Sequence, residues 1–200
     1  MFTGIIQALG QVDSVEPVGG DVRLHISAAL DMKNVQLGDS IATNGVCLTV
    51  VEKTAAGYVA DVSAETLSLT TIGKWQTGQH VNLELAMLPT TRFGGHIVSG
   101  HIDGVGEVID RYPDARSERF RLRAPDSLAR YIAHKGSIAV DGTSLTVNQM
   151  DGAEFELNIV PHTMTHTVMG DYQPGTLVNL EVDVVARYLE RLLQGDPAAD

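Results

Sequence analysis

The order of apolar and polar residues in this chain is that of short strands. Phe155, Leu157 and Ile159 alternate with Glu156, Asn158 and Val160, a period of two that turns one apolar face inward and a mostly polar face outward. Most segments are short, rich in Val, Ile, Leu and Thr, and bounded by turn signals such as Gly19-Gly20-Asp21 and Asp151-Gly152, which favours strands joined by tight connections. Three stretches depart from this. "AALDMKNVQLG" and "APDSLARYIAHKG" have helical apolar spacing with a glycine just past the end, which predicts one short helix in each. "VVARYLERLL" sets Val184, Val185, Tyr188, Leu189, Leu192 and Leu193 along one stripe of a helix.

The pattern is written twice. "DSIATNGVCLTV" (Asp39 to Val50) returns 97 residues later as "GSIAVDGTSLTV" (Gly136 to Val147). The same offset carries "SAETLSLTTIG" onto "VPHTMTHTVMG" and "TGQHVNLEL" onto "PGTLVNLEV". "TGIIQALGQV" (Thr3 to Val12) falls on "SGHIDGVGEV" (Ser99 to Val108) at an offset of 96, a slip of one residue that a loop insertion explains. So long a period does not suit a solenoid or propeller blade, but suits a small closed barrel, in which closure removes the sheet edges. The expected organisation is all-β: a first barrel over 1–88, a linker over 89–97, a second barrel over 98–183, a helix over 184–194 and a disordered tail over 195–200. The helix belongs to neither copy and must pack on its own barrel or on another subunit.

Composition narrows the function. With 200 residues, a formal charge of −11 and no basic block, the chain lacks the electrostatic footprint of a nucleic-acid binder. No apolar run approaches the roughly 18–20 residues of a membrane span, and "MFTGIIQALGQVDSV" lacks the basic flank of a signal peptide, so a cytoplasmic protein is expected. One cysteine excludes an internal disulfide framework and any multi-cysteine zinc site.

Candidate chemistry gathers in the repeated blocks. Cys47 in "NGVCLTV" faces Ser144 in "DGTSLTV" when the copies are aligned. A thiol titrates near ~8.5, and an apolar strand raises that value unless a cation or N–H group is close; a small packed side chain is the alternative reading. His96 lies five positions before His101, an odd separation that sets the two on opposite faces of a continuous strand and argues against a shared metal. His162 and His166 have the spacing of a helical metal pair, but the repeat sets them against Glu65 and Leu69 and no carboxylate motif accompanies them. No metal site is expected. Asp183 immediately precedes the last helix, as an N-cap carboxylate would. Lys135 precedes Gly136 at an expected helix end, where a cation complements the dipole.

From "MFTGII" through "NGVCLTV", "GGHIVSGHID", "YIAHKG" and "DGTSLTVN" to "VNLEVD", the sequence resembles the riboflavin synthase family of the alpha-chain type over essentially its whole length. The resemblance implies two six-stranded Greek-key barrels with a C-terminal helix, assembled as a homotrimer. It also implies conversion of two molecules of 6,7-dimethyl-8-ribityllumazine into riboflavin and 5-amino-6-(D-ribitylamino)uracil, the final step of riboflavin biosynthesis. No cofactor is implied, because one substrate molecule donates the four-carbon unit and the other accepts it. The site would form where the first barrel of one subunit faces the second barrel of its neighbour, with two substrate molecules per site.

Carried over by position, the first barrel's ligand would lie against Gly4, Ile5 and Ile6, then Cys47, Leu48 and Thr49, then Asp61, Val62, Ser63, Ala64, Glu65 and Thr66. The second would lie against Gly100, His101 and Ile102, then Ser144, Leu145 and Thr146, then Asn158, Ile159, Val160, Pro161, His162 and Thr163, with Lys135. Strand-end amides and carbonyls suit a pyrimidinedione edge, and hydroxyls and carboxylates suit a ribityl chain. Aromatic residues make up only 5% of the chain, and the lone tryptophan, Trp75, falls in an expected turn, so ring stacking should not dominate binding. The catalytic candidates are His101, Cys47, Ser144, Thr146, Ser40 and Asp183. His101 is the expected base for the acidic C7 methyl group of the donor, since an imidazole near its ordinary pKa of ~6.5 takes and returns a proton at neutral pH. Cys47 could add to C7 of the acceptor. The alternative function is a non-catalytic lumazine or flavin antenna of the same fold.

Overall fold

The structure, a computed structural model, describes residues 1–194; the tail expected to be disordered lies outside the described residues. Strands β1 (Ala8–Val18), β2 (Asp21–Ala28), β3 (Ser40–Thr43), β4 (Val46–Lys53), β5 (Gly57–Val62) and β6 (His80–Leu85) close into a barrel in the order β1-β2-β5-β4-β3-β6. A second barrel repeats this order with β7 (Gly104–Asp114), β8 (Ser117–Arg123), β9 (Ser137–Val140), β10 (Thr143–Asp151), β11 (Glu154–Ile159) and β12 (Leu177–Val182). Closure gives each strand a neighbour on both sides, which removes the long edges of an open sheet. The expected alternation holds: Phe155, Leu157 and Ile159 are buried in the second core, and Leu24, Ile26, Ile41 and Leu83 fill the first. Each such side chain contributes about 1.5–3 kcal/mol by leaving water.

Even the irregularities are duplicated. β1 shifts register between Val12 and Ser14 and β7 between Val108 and Asp110, while β4 shifts between Val50 and Glu52 and β10 between Val147 and Gln149. Such bulges raise the local twist that a small barrel needs.

Two helices appear where strands were expected. α1 (Ala64–Leu69) follows β5, and α2 (Pro161–His166) follows β11 at the matching place. Ser63 caps α1 by accepting from Thr66 N, and α2 has proline in its first turn, both favoured helix starts. Each continues into a single 3₁₀ turn, Thr71–Lys74 or Val168–Asp171; Trp75 ends the first of these and is buried in the core.

The two helices expected from apolar spacing fare differently. Asp126–Tyr131 forms a 3₁₀ helix, but residues 29–38 form turns and no helix. There the Asp31 carboxylate accepts from Lys33 N, Asp39 accepts from Gln36 N, and Lys53 Nζ donates to the carbonyls of Met32 and Val35. These bonds satisfy the backbone locally, competing with a helical ladder. Lys135 consequently does not sit at a helix end: the helix stops at Tyr131, and Lys135 takes a left-handed φ of 64° where the first copy has Gly38 at 89°.

The barrels meet along a pseudo-symmetric seam. Asn82 on β6 donates to Asp141 O and accepts from Val168 N, while Asn179 on β12 donates to Asn44 O and accepts from Thr71 N, and both asparagines are fully buried. Each amide is thus committed to the opposite barrel. Phe2, fully buried, pairs its backbone with Val98 between Ala42 and Ala139. α3 (Val184–Leu193) follows the second barrel alone and leaves Val185, Tyr188, Leu189, Leu192 and Leu193 exposed.

Candidate functional site

The site is built from two loops that cross the seam. Thr3–Gly4 precedes β1, and Ser99–Gly100 precedes β7. The Glu84 carboxylate on β6 accepts from Thr3 N at 2.7 Å, Thr3 Oγ1 at 2.6 Å and Gly4 N at 2.9 Å. Glu181 on β12 accepts from Ser99 N, Ser99 Oγ and Gly100 N at 2.7, 2.6 and 2.9 Å. A buried carboxylate needs such partners to stay in place. Burial pushes Glu84 above the ordinary carboxylate value, and the three hydrogen bonds oppose that rise.

Each loop then lies on the other barrel. Gly100 O accepts from Cys47 N at 2.9 Å, and Gly4 O accepts from Ser144 N at 2.8 Å. The grouping carried over from the family resemblance, with Gly4, Ile5 and Ile6 beside Cys47 and with Gly100, His101 and Ile102 beside Ser144, is therefore reversed within the chain. The cause is a splay in each sheet. β4 pairs with β5 only from Val50 onward, and β10 pairs with β11 only from Val147 onward. Cys47 N and Ser144 N are left as open donors, and the crossing loop satisfies each. Both loops need glycine: at φ of +76° and +83°, a Cβ on Gly4 or Gly100 would come within 2.5 or 2.6 Å of the Ser144 or Cys47 Cβ.

On the first barrel this produces a cleft of about 250 Å³ lined by Cys47, Glu65, Thr66, Leu69, His101 and Ile102, among others. The α1 helix supplies one wall, His101 is exposed at the rim and Cys47 is half-buried. Thr49 points outward on the same face of β4 as Cys47, opposite Ser40 in register. Ser40 itself lines a separate cavity of about 440 Å³ with Gln7, Asp39 and Leu88. Leu48 and Val62 are buried in the core, so only their backbone can meet a ligand. Asp61 is engaged: Arg23 donates to it at 2.7 and 2.9 Å and holds its carboxyl below the ordinary range. Ser63 caps α1 and Ala64 N donates to Asp21, while both side chains remain exposed.

On the second barrel Ser144 N donates to Gly4 O at the crossing of the N-terminal loop, where the next residue, Ile5, is exposed. Leu145 packs on the core and Thr146 is exposed opposite Ser137. Ile159 is buried, whereas Asn158, Val160, Pro161 and His162 are exposed and Thr163 is half-buried. Lys135 is exposed, with its backbone N donating to Val147 O. Asp183 is the N-cap of α3, accepting from Val185 N at 3.0 Å. His162 and His166 stack with ring centroids 4.0 Å apart on α2. Among the described residues no group of three or more His, Cys, Asp or Glu side chains is arranged to hold a metal ion.

The residue that sequence reasoning missed is His96. It is buried, and its Nδ1 lies 2.7 Å from Ser144 Oγ. Burial pushes its pKa down, while the charges of Asp183 and Glu181 pull it up. The two histidines are separated because the chain is not a continuous strand from 96 to 101: His96 packs with Thr3 and Ser144, and His101 sits over Cys47's cleft. The signal available in sequence was "GGHIVSG", where Gly95 leaves room for this approach; a Cβ there would meet Thr3 O at 2.1 Å. The chemistry available is thus an exposed imidazole over a thiol and hydroxyls on one barrel, and a buried imidazole–hydroxyl pair on the other.

A family model described as the lumazine binding domain matches residues 3–86 and again 99–183. The chain is 53% identical to riboflavin synthase of Photobacterium phosphoreum, over 100% of this chain and 92% of that protein. It is 46% identical to riboflavin synthase of Brucella abortus (strain 2308), over 97% and 98%. Among solved structures, LumP complexed with riboflavin superposes with a TM-score of 0.85 at 24% identity, over 91% of this chain and 99% of that one, a likeness of fold.

Proposed function

The chain belongs to the riboflavin synthase family, whose lumazine-binding domain it carries twice, and we propose that its two crossed half-sites carry out the dismutation of 6,7-dimethyl-8-ribityllumazine. The protein is a transferase. Two identical molecules react, one giving up a four-carbon unit to become 5-amino-6-(D-ribitylamino)uracil and the other gaining it to become riboflavin. The observation that carries this reading is the pair of matched half-sites with unlike furnishings: a cleft holding His101 and Cys47, and a second platform holding His96, Ser144 and Ile5. Identical substrates must take different roles, and chemically distinct pockets on one duplicated frame permit this.

His101 removes a proton from the C7 methyl group of the donor and returns it later as general acid. Strand-end backbone groups at Thr49 and Thr146 serve the pyrimidinedione edges, and Thr66 and Thr163 serve the ribityl hydroxyls. Ser144, held by His96, faces the second ligand. Asp183 and Ser40 remain in the reading as groups that contribute when subunits meet, because neither lines the His101 cleft of its own chain. Neither metal nor external cofactor enters, since donor and acceptor are the same compound.

We extend the reading to a cytoplasmic homotrimer with barrel units 1–88 and 98–183 joined by 89–97 and an oligomerisation helix over 184–194. Two features support the oligomer. The apolar stripe of α3 is exposed, and the cleft of about 250 Å³ falls below the roughly 300–1,000 Å³ of a self-sufficient small-molecule pocket. No helix among the described residues is long and apolar enough to cross a membrane.

The deciding experiment incubates the purified protein with 6,7-dimethyl-8-ribityllumazine alone and follows riboflavin fluorescence. Multiple turnovers are expected. Tight binding without product would instead make the protein an antenna.

A further inference from the structure

The loop that carries His101 has a fastening that its counterpart lacks. Glu84 and Glu181 hold the two crossing loops in the same way, and Gln7 and Asp103 continue the match: Gln7 Oε1 accepts from Leu85 N at 3.1 Å and Asp103 Oδ2 accepts from Val182 N at 2.8 Å. There the symmetry ends. Arg187, on the second turn of α3, donates from Nη2 to His101 O at 2.7 Å and to Asp103 Oδ2 at 2.6 Å. The first copy has no helix after β6, where the chain runs through Pro89, so nothing corresponds to Arg187 at Ile5. The extra bond falls on the copy in which the matched position is histidine rather than isoleucine.

From this geometry we infer that Arg187 is a positioning residue for His101: it fixes the carbonyl of the loop's exposed histidine and so sets where the imidazole stands over the Cys47 cleft. This rests on the dismutation reading above. Arg187 does not itself line the cleft and reaches it only through the His101 carbonyl, and its side chain is about two-thirds hidden, with an exposure of 30% against 17% for Asp103. Its partner carboxylate is tied to β12 through Val182 N, so the side chain links three elements at one point: α3, β12 and the crossing loop. Since α3 holds one end of this link, the position of His101 follows the position of the helix. A charged donor on a backbone carbonyl of an exposed loop restricts the loop without occupying the site.

The test uses the full chain with Arg187→Met and Arg187→Lys, measured beside the unsubstituted protein. Turnover of 6,7-dimethyl-8-ribityllumazine gives kcat and KM, riboflavin quenching gives ligand affinity, ultracentrifugation gives the oligomeric state, and the His101 ring resonance in carbon-labelled protein reports loop position. Misplacement of a catalytic group by about 1 Å costs on the order of 100-fold, so Arg187→Met should lower kcat about 10- to 100-fold. Riboflavin affinity should stay within about 3-fold on that same footing, since binding does not need the base. The lysine variant should recover part of the rate, added guanidinium ion should restore part of it to the methionine variant, and the His101 resonance should shift. An unchanged kcat with an unmoved His101 resonance would overturn the inference. So would parallel loss of rate, affinity and assembly without rescue, which marks a purely structural residue. If the unsubstituted protein makes no riboflavin, the functional reading fails separately; the His101 resonance then still decides whether Arg187 holds the loop.

Discussion

The two barrels share strand order, bulge positions and crossing loops, yet many matched places differ, and several of the differences add or remove a polar or reactive group. Ile5 faces His101, Cys47 faces Ser144, Asn44 faces Asp141, Tyr58 faces Phe155 and Trp75 faces Tyr172. In the first barrel Tyr58 OH pairs with Thr43 Oγ1 at 2.5 Å inside the core, and Trp75 Nε1 donates to Thr71 Oγ1. In the second the phenol has moved to Tyr172, which donates to the Asp141 carboxylate. Cross-strand charge differs too. The second barrel carries a ladder in which Arg119, Arg121 and Arg123 meet Asp110, Asp114, Glu154 and Glu156, whereas the matching face of the first has mainly Arg23 with Asp61. The frame is fixed by apolar packing and by the seam asparagines Asn82 and Asn179, while divergence falls on outward positions, on the pair Asn44 and Asp141, and on buried polar groups such as Tyr58 and Tyr172. A duplicated frame with unlike fittings suits a reaction in which two copies of one compound must behave differently.

The comparison is broken most severely by removing the residue that makes the pockets unequal. His101→Asn should lower kcat by about 10²–10⁴-fold, the usual worth of a general base, while riboflavin still binds. Steady-state kinetics paired with a binding titration measures both. Equal losses in rate and affinity would mean that His101 only orients the ring.

A smaller effect should follow from making the seam symmetric. Asn44 Oδ1 accepts from Asn82 N at 2.6 Å, and Asp141 Oδ1 accepts from Asn179 N at 2.8 Å. Asp141→Asn therefore installs in the second barrel what the first already tolerates. Burial pushes the Asp141 carboxyl up to about 7, against the lowering pull of the Tyr172 and Asn179 hydrogen bonds, whereas an unfolded aspartate titrates near ~3.9. Between about pH 4 and pH 7 the native state thus holds a proton that the unfolded chain releases. Stability from this group is complete at low pH, declines as pH rises through that window, and levels off above it. Urea unfolding at pH 5 and pH 8 should show a decline in the parent protein that exceeds the variant's by on the order of a few kcal/mol, at about 1.4 kcal/mol per unit of pKa. Identical pH dependence in both proteins would remove Asp141 as its source.

These contrasts also show what the sequence made legible. Barrel count, strand identity and the unequal matched positions followed from a 97-residue offset and a period of two, because apolar alternation and repetition are properties of neighbours along the chain. The crossing of the loops was not legible. It depends on open donors at Cys47 and Ser144, created where β4 and β10 part from the next strand, and alignment of the copies alone assigns each loop to its own barrel. His96 escaped for the same reason, since its partner Ser144 lies 48 residues away. The misplaced helix at 29–38 shows apolar spacing overruled by local Asp and Lys bonds to the backbone. The six-residue α1 and α2 are too short for periodicity to reveal, although Ser63 and Pro161 marked their starts.

The smallest effect should come from Cys47→Ser, the substitution that gives the first barrel the second's residue. Ser144 already stands at the matched position, with a backbone N–H bonded to the crossing loop at 2.8 Å where Cys47 has 2.9 Å, so the exchange keeps that contact. If His101 is the base for the donor, the cleft it shares with Cys47 holds the donor, and a thiol there is misplaced for attack on an acceptor bound at the other half-site. Cys47→Ser should therefore keep kcat within about 5-fold, since small changes at a residue outside proton transfer alter positioning more than chemistry. Loss of more than about 100-fold, on the scale of a missing nucleophile, would show that the acceptor lies against Cys47 and would move the donor, with its base, to the His96 and Ser144 side.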